Sequence, residues 1–331
     1  MISPMVEFGL WHPVALQQDL QQGPLGVRLL EQDLVLWRDG AGQAHAWVDR
    51  CPHRGARLSL GRITQDRLQC PYHGWQFDAQ GQCQRIPAQP DLQPPAGYCV
   101  KSHEVQARHG LLWVRLDAAA AGAPIPPFPE AASGLRLLNC GPYDVASSAP
   151  RVVENFLDMA HFSFVHEGWL GAADHPEITP YEVFETDSGL KASGCRAWQP
   201  RSNLHSTGAA QVEYSYEVHG PYSAVLTKVP EPGRTRIADW QEAIGLFICP
   251  ITPDSCRVWF RLAVADHESS DETLAAFQHN IFCQDQPVLE SQQPKRLPLA
   301  VRDELHSSAD RLSLAYRRYL QRLNIRFGVC P

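Results

Sequence analysis

The feature that most constrains this chain lies between Cys51 and Trp75. Cys51-Pro52-His53-Arg54-Gly55 opens the stretch and Cys70-Pro71-Tyr72-His73-Gly74-Trp75 closes it, with sixteen residues separating His53 from Cys70. Each of two loops contributes one thiol and one imidazole. A Rieske [2Fe–2S] centre requires that set, with two Cys on one iron and two His on the other. Neutral imidazole donates less charge than thiolate, which raises the reduction potential to roughly −150 to +300 mV. A structural zinc site of two Cys and two His competes with this reading. Zinc loops usually pair like ligands, however, and C-x-H is tighter than their spacings. Four unrelated core residues are the third reading. The Pro and Gly residues around the four side chains suit tight loops that aim backbone N–H groups inward.

Short β-rich runs surround the motif. Residues 8–16 lead into a strand. Strands are expected over 27–30 and 34–38 around a turn at Glu31-Gln32-Asp33, and over Ala44–Val48 after a hairpin turn at Asp39-Gly40-Ala41-Gly42. Runs at 76–78 and 84–86 flank a further turn at 79–82, and 100–107 and 111–116 alternate like a closing pair. Residues 1–117 therefore read as a small antiparallel β domain. An Ala/Pro-rich tract at 118–130 reads as an extended linker.

Residues 131–331 read as a second domain, as the length of 331 residues suggests. Strands are expected over 143–148, 181–185, 211–218, 224–229, 243–248 and 257–264. Helices are expected over 152–164, 271–282 and 310–323. The fold class is α+β.

The 152–164 helix and its exit carry Glu154, Asp158, His161 and His166. On a regular helix Glu154, Asp158 and His161 share one face. His166 lies about 140° from His161, so the helix must end or bulge between them for both to meet one metal. Two imidazoles and one further oxygen ligand would make a two-His, one-carboxylate iron site with open positions for dioxygen. Asp158, next to His161, is better placed to orient it. Taken alone, the pattern also suits a solvated helix face.

With both motifs in view, the chain resembles the catalytic α subunit of the Rieske non-haem iron oxygenases over nearly its whole length. That resemblance implies an N-terminal antiparallel β Rieske domain and a C-terminal helix-grip domain, an antiparallel sheet with flanking helices. It implies that Cys51, His53, Cys70 and His73 hold the cluster and that His161 and His166 hold mononuclear Fe(II). The third iron ligand would be Asp285, within Cys283-Gln284-Asp285-Gln286-Pro287. A helix N-cap before Pro287 is the plainer reading of Asp285, and Glu290 is the alternative ligand. Asp158 matches the carboxylate that links the two metal centres of neighbouring chains.

Two branches are similar in detail. Phe164-Val165-His166-Glu167-Gly168-Trp169-Leu170-Gly171, residues 291–298 and the tail at 315–320 and 327–330 resemble saxitoxin-type hydroxylases. Trp11-His12-Pro13-Val14 and residues 68–76 resemble methylxanthine N-demethylases. These branches imply an enzyme without β chains, a homotrimer, that uses O2 to hydroxylate or oxidatively demethylate a small nitrogen-rich or aromatic molecule.

The electron source lies outside this chain. No G-x-G-x-x-G nucleotide fold and no plant-type ferredoxin spacing is present, so a separate ferredoxin or NAD(P)H-dependent reductase is implied. Arg54, Trp75 and Lys101 either shape its docking face or are ordinary packing and solvated residues. A Rieske electron carrier with a non-catalytic second domain is the alternative function, and a structural zinc protein a third. Substrate walls are expected within 200–262. There Glu213 or Asp239 would suit a cationic substrate if buried, and would otherwise be surface charges.

Composition closes off other classes. A net charge of −7 argues against a nucleic-acid partner. Eight of the ten Cys fall outside the motif without close pairing, as expected of reduced thiols in the cytoplasm. No apolar leader and no run of 18 uncharged apolar residues is seen, so neither secretion nor a membrane span is expected.

Overall fold

The structure, a computed structural model, describes residues 5–119, 123–129, 134–237 and 240–330. The chain divides into two compact units, Met1–Ile125 and Pro126–Pro331. The sequence reading put a linker at 118–130. Residues 120–122 and 130 lie outside the described residues, but Phe128 is buried, its ring over Gly245 and edge-on to Phe247. That part of the tract is thus anchored on the second unit's sheet.

In the first unit the described strands are β1 (His12–Leu16), β2 (Leu25–Leu29), β3 (Gln32–Arg38), β4 (Ala44–Val48), β5 (Arg62–Thr64), β6 (Arg67–Gln69), β7 (Gln76–Phe77), β8 (Cys83–Arg85), β9 (Ser102–Arg108) and β10 (Leu111–Arg115). They form an antiparallel sheet in the order β1-β10-β9-β4-β3-β2 and a smaller one in the order β5-β6-β7-β8. Leu34, Val35, Leu36 and Trp37 make β3 its apolar centre, all fully buried. The expected turn at Glu31-Gln32-Asp33 falls instead at Leu30-Glu31. Both have positive φ, and Leu29 pairs with Gln32. A two-residue loop of this hand matches the twist of the strands it joins, which a turn one residue later would not. Gln65-Asp66 closes β5 and β6 in the same way. That hairpin lies inside the sixteen-residue spacer of the metal motif and was not expected from sequence.

The second unit is built on an antiparallel sheet of β11 (Arg136–Val145), β12 (Glu182–Thr186), β13 (Gly189–Gln199), β14 (Ala210–Val218), β15 (Ser223–Pro230), β16 (Glu242–Thr252) and β17 (Ser255–Val264), ordered β11-β17-β16-β15-β14-β13-β12. Along β14, buried Val212, Tyr214, Tyr216 and Val218 alternate with more exposed residues, so one face of the sheet is apolar. Four helices, α1 (Ala149–Leu157), α2 (Phe162–Val165), α3 (Asp271–Ser291) and α4 (Arg311–Arg322), contribute to the same core.

Three expectations change here. The strand expected over 143–148 begins at Arg136 and ends at Val145; Gly141-Pro142 sits at an irregularity between Cys140 and Tyr143, which masked its first half. The helix expected over 152–164 is two helices. α1 starts on Ser148, whose Oγ accepts the Arg151 N–H, and ends at Leu157. A helix end does fall between His161 and His166, at Val165, as expected, and a further break, not expected, precedes His161. The helix expected over 271–282 continues to Ser291 through Pro287. The N–H that Pro287 lacks would have reached the carbonyl of Cys283, an exposed residue that water can serve.

Charge binds the helices together. Arg317 on α4 grips Glu154 on α1 through Nε at 2.6 Å and Nη2 at 2.9 Å, and also reaches Glu304. Arg151 completes the set, 2.7 Å from Glu304. Burial pushes the Glu154 carboxyl up, and the Arg317 and Arg151 guanidinium groups oppose that rise. Arg317→Met should leave the buried Glu154 carboxylate without its two guanidinium hydrogen bonds, with only Arg151 at 3.6 Å, and cost about 3–5 kcal/mol. Urea unfolding followed by circular dichroism measures this, and adding Glu154→Gln should recover part of the loss.

Candidate active site

The two loops of the Cys/His motif are built alike. In the first, Cys51 N–H donates to Ala56 O at 2.8 Å and Gly55 N–H to Cys51 O at 2.9 Å. In the second, Cys70 N–H donates to Trp75 O at 2.8 Å and Gly74 N–H to Cys70 O at 3.1 Å. Gly55 and Gly74 sit at φ +73 and +71, a conformation that an L side chain rarely takes. Two matched turns thus present the four side chains in like pairs. The two neighbouring thiols push each other apart in titration, Cys51 up and Cys70, against burial, down. The His53 and His73 rings lie 4.6 Å apart. The cysteines are buried and His73 is exposed.

This donor set fits a Rieske cluster. Its thiols and imidazoles are sorted into the two pairs that such a cluster needs, and His53 Nδ1 is occluded with no hydrogen-bond partner among the described residues. Of the suggested docking residues, Trp75 is stacked between His53 at 4.5 Å and Tyr98 at 5.5 Å, while Arg54 and Lys101 are exposed.

In the second unit α1 stops because Asp158 turns extended and its Oδ1 accepts the Ala160 N–H at 2.8 Å. One helical turn, α2, then runs with His161 at its N-cap and His166 at its C-cap. From those ends the two rings converge, with Nε2 atoms 3.2 Å apart. Asp285 Oδ1 lies 3.3 Å from His161 Nε2 and 3.2 Å from His166 Nε2. It projects from the middle of α3, so it is no N-cap. Glu290, the alternative, instead accepts from Ala146 N–H at 3.1 Å and Gln286 Nε2 at 2.8 Å. Glu154 shares no part of this site, being engaged by Arg317.

Each imidazole is fixed from behind. His161 Nδ1 meets Asp158 Oδ2 at 3.1 Å, and His166 Nδ1 meets Gln284 Oε1 at 2.7 Å. With both Nδ1 atoms engaged, both Nε2 atoms face the shared point, the arrangement that metal-binding histidines need. Asn155 Nδ2 approaches Asp285 Oδ1 at 3.3 Å. Burial opposes charge here, yet Asp158 and Asp285 push His161 up to about 9, while His161 and His166 hold Asp285 down to about 2. The point between them attracts positive charge. Three donor atoms within 4.8 Å of one another fit a divalent metal with open coordination positions.

These three residues line one cavity. Its other walls are mainly aromatic and aliphatic, among them Phe156, Phe162, Tyr214, Leu226, Phe260 and Phe282. The expected 200–262 segment supplies part of them, and α1, α2, α3 and Leu170 the rest. Glu213 is not in this cavity but exposed on the opposite face of β14, and Asp239 lies outside the described residues. The charges that do line it are Lys228 and Glu242, which sequence reasoning missed. A signal was present: Lys228 falls in step with Ala224 and Leu226, and Glu242 opens a run, Ala243 to Cys249, that is apolar and buried throughout, so neither charge sits where a solvated residue is expected.

Residues 10–103 match the Rieske [2Fe–2S] domain family, and residues 145–325 match the C-terminal domain of the vanillate O-demethylase oxygenases. The chain belongs to the Rieske non-haem iron oxygenases. The oxygenase is 34% identical over 322 residues to methylxanthine N1-demethylase NdmA of Pseudomonas putida, covering 95% of this chain and 88% of the relative. It is 31% identical over 330 residues to methylxanthine N3-demethylase NdmB of the same organism, covering 95% and 89%. The solved structure of Pseudomonas putida CBB5 NdmA with caffeine superposes with a TM-score of 0.84 at 32% identity, covering 96% of this chain and 90% of that one.

The oxygenase therefore combines a Rieske cluster with mononuclear iron. It uses O2 and electrons from a separate reductase to hydroxylate or oxidatively demethylate a small aromatic or nitrogen-rich molecule. No helix among the described residues is long and apolar enough to cross a membrane.

Asp285→Ala should lower mononuclear iron content severalfold and leave the cluster's visible absorption unchanged, since two imidazoles alone leave a labile site. Glu290→Ala should change neither. Iron and acid-labile sulfide analysis of the two purified variants decides between them.

Proposed function

We propose that this oxygenase oxidatively removes N-methyl groups from a flat nitrogen heterocycle. In this reading His161, His166 and Asp285 hold the iron, and Cys51, His53, Cys70 and His73 hold the cluster. Residues 1–117 form the Rieske domain, 118–130 a linker and 131–331 the catalytic domain. The observation that carries the reading is the meeting of two Nε2 atoms and one carboxylate oxygen in the wall of an otherwise largely apolar cavity. The methylxanthine demethylases among the relatives support the choice of substrate class.

When bound, the iron supplies dioxygen activation at its open face, and the cluster supplies electrons singly. Around it, Asp158 and Gln284 hold the two imidazoles in one tautomer and orientation. The aromatic walls exclude water and align a planar ring. Hydroxylation of an N-methyl group gives an N–CH2–OH unit. Its C–N bond then breaks, nitrogen keeps the electron pair and takes a proton, and formaldehyde leaves.

Holoenzyme supplied with NADH, a Rieske-type reductase and N-methylated purines should release formaldehyde in equal amount to the demethylated product, read by colorimetry and liquid chromatography–mass spectrometry. A ring-hydroxylated product without formaldehyde would instead make the enzyme a hydroxylase.

Asp158 is read as the link between centres of neighbouring chains in a homotrimer. Its carboxylate holds His161 at one edge and stays 26% exposed, and His73 is the exposed ligand of the cluster loops. A ring-closing assembly would give each chain one such junction. Cys70→Ala and His161→Ala should each be inactive alone, and mixed trimers of the two should regain a fraction of the turnover. Mixed trimers verified by native mass spectrometry that stay inactive would place electron transfer within one chain. The absence of disulfides among the ten cysteines supports a cytoplasmic enzyme.

A further inference from the structure

Lys228 on β15 and Glu242 on β16 are direct cross-strand partners, so both side chains leave the sheet on one face. Both line the cavity that holds His161, His166 and Asp285. They are 3% and 6% exposed. Lys228 Nζ lies 3.0 Å from Glu242 Oε2 and donates to Ser202 O at 2.7 Å. The contact with Glu242 lacks hydrogen-bond geometry, and no hydrogen bond to the Glu242 carboxylate is found among the described residues. An ammonium carries three donors and Ser202 O takes one, so two N–H groups of Lys228 remain beside Glu242.

As a structural device this pair is poor. Desolvating two charges commonly costs more than their attraction returns, and apolar residues of similar volume serve such positions as well or better. As a recognition device it is well made. It sets one acceptor beside one donor in an otherwise mainly aromatic and aliphatic wall.

We propose that Lys228 and Glu242 form the specificity site of this cavity and that they select a neutral heterocycle carrying an N–H beside a C=O, a lactam edge. The N–H donates to Glu242 and the carbonyl accepts from Lys228. An anionic substituent would face the Glu242 carboxylate and a cationic one the Lys228 ammonium, so the pair discriminates against both. This deepens the demethylase reading and rests on it. The substrate would carry its methyl group on one nitrogen and a free lactam elsewhere.

The test uses oxidised holoenzyme without reductant, so that no turnover occurs, and isothermal titration calorimetry with three bicyclic probes. Quinazolin-4(3H)-one has the lactam edge, 3-methylquinazolin-4(3H)-one has lost its N–H, and 1-naphthoate is an anion. The lactam should bind roughly 10- to 100-fold tighter than its N-methyl form, the range expected for a hydrogen bond to a charged group, and 1-naphthoate should bind weakest. The double variant Lys228→Met with Glu242→Leu should melt at the same temperature or higher and bind the two quinazolinones within about twofold of each other.

Four results would overturn the proposal: no lactam binding at millimolar concentration, equal binding of the two quinazolinones by the wild type, tightest binding of 1-naphthoate, or a double variant that keeps the lactam preference. A double variant destabilised by several degrees would assign the pair to the scaffold and overturn it too. Iron and sulfide content, read in the same samples, separate the two readings. Wild-type protein without them sinks the oxygenase assignment, whereas intact metal without lactam selectivity sinks this proposal alone.

Discussion

Two hydrogen bonds made away from the metal position govern the catalytic unit. Asp158 holds His161 and Gln284 holds His166, each through Nδ1. An imidazole has two nitrogens, and engaging one decides which way the other points. With both rings held from behind, the two Nε2 atoms and Asp285 Oδ1 have one place to meet. The helices that carry these residues follow from that demand. α1 must end at Leu157 so that Asp158 can turn back, α2 must be one turn long, and α3 must run uninterrupted past Pro287 to hold Gln284 and Asp285 in successive positions.

The same economy appears in the first unit. Two loops with the same backbone hydrogen bonds each place a cysteine inward beside a histidine, of which His53 stacks on Trp75 and His73 is exposed. Buried thiols and a more exposed imidazole edge give such a centre a direction, since an electron leaves most easily where a ligand reaches the surface. Both units thus solve one problem, the gathering of four or three donors without an intrinsic bond among them, by spending backbone hydrogen bonds and histidine tautomers on orientation.

Much of this was legible beforehand. The C-x-H and C-x-x-H pairs and the D-x2-H-x4-H pattern could be read because ligand chemistry permits few residue types at few spacings, whereas Asp285 came only from the family resemblance, with Glu290 left open beside it. Strands such as β3 and β14 could be read because their apolar residues alternate or cluster. β13 could not. Its Gly189, Lys191, Gly194 and Arg196 carry little strand signal, and it exists because β14 pairs with it. The helix end between His161 and His166 could be read from their spacing, but the additional break before His161 could not, because a side chain accepting a nearby N–H competes with helix in a way periodicity does not register.

The sequence by itself determined the metals, the two-domain order and the broad reaction, since these depend on which atoms are present. Tertiary structure alone decided which carboxylate joins the two imidazoles, and which charges face the substrate. Asp285 and Glu290 are five residues apart on one helix, and only packing against α2 and β11 turns the first towards the histidines and the second towards the Ala146 amide. Glu213 and Glu242 each lie on a strand of the same sheet, and only the register of the pleat sends one to solvent and the other into the cavity beside Lys228. A side chain's chemistry is written in the chain; the face it looks out from is set by its neighbours.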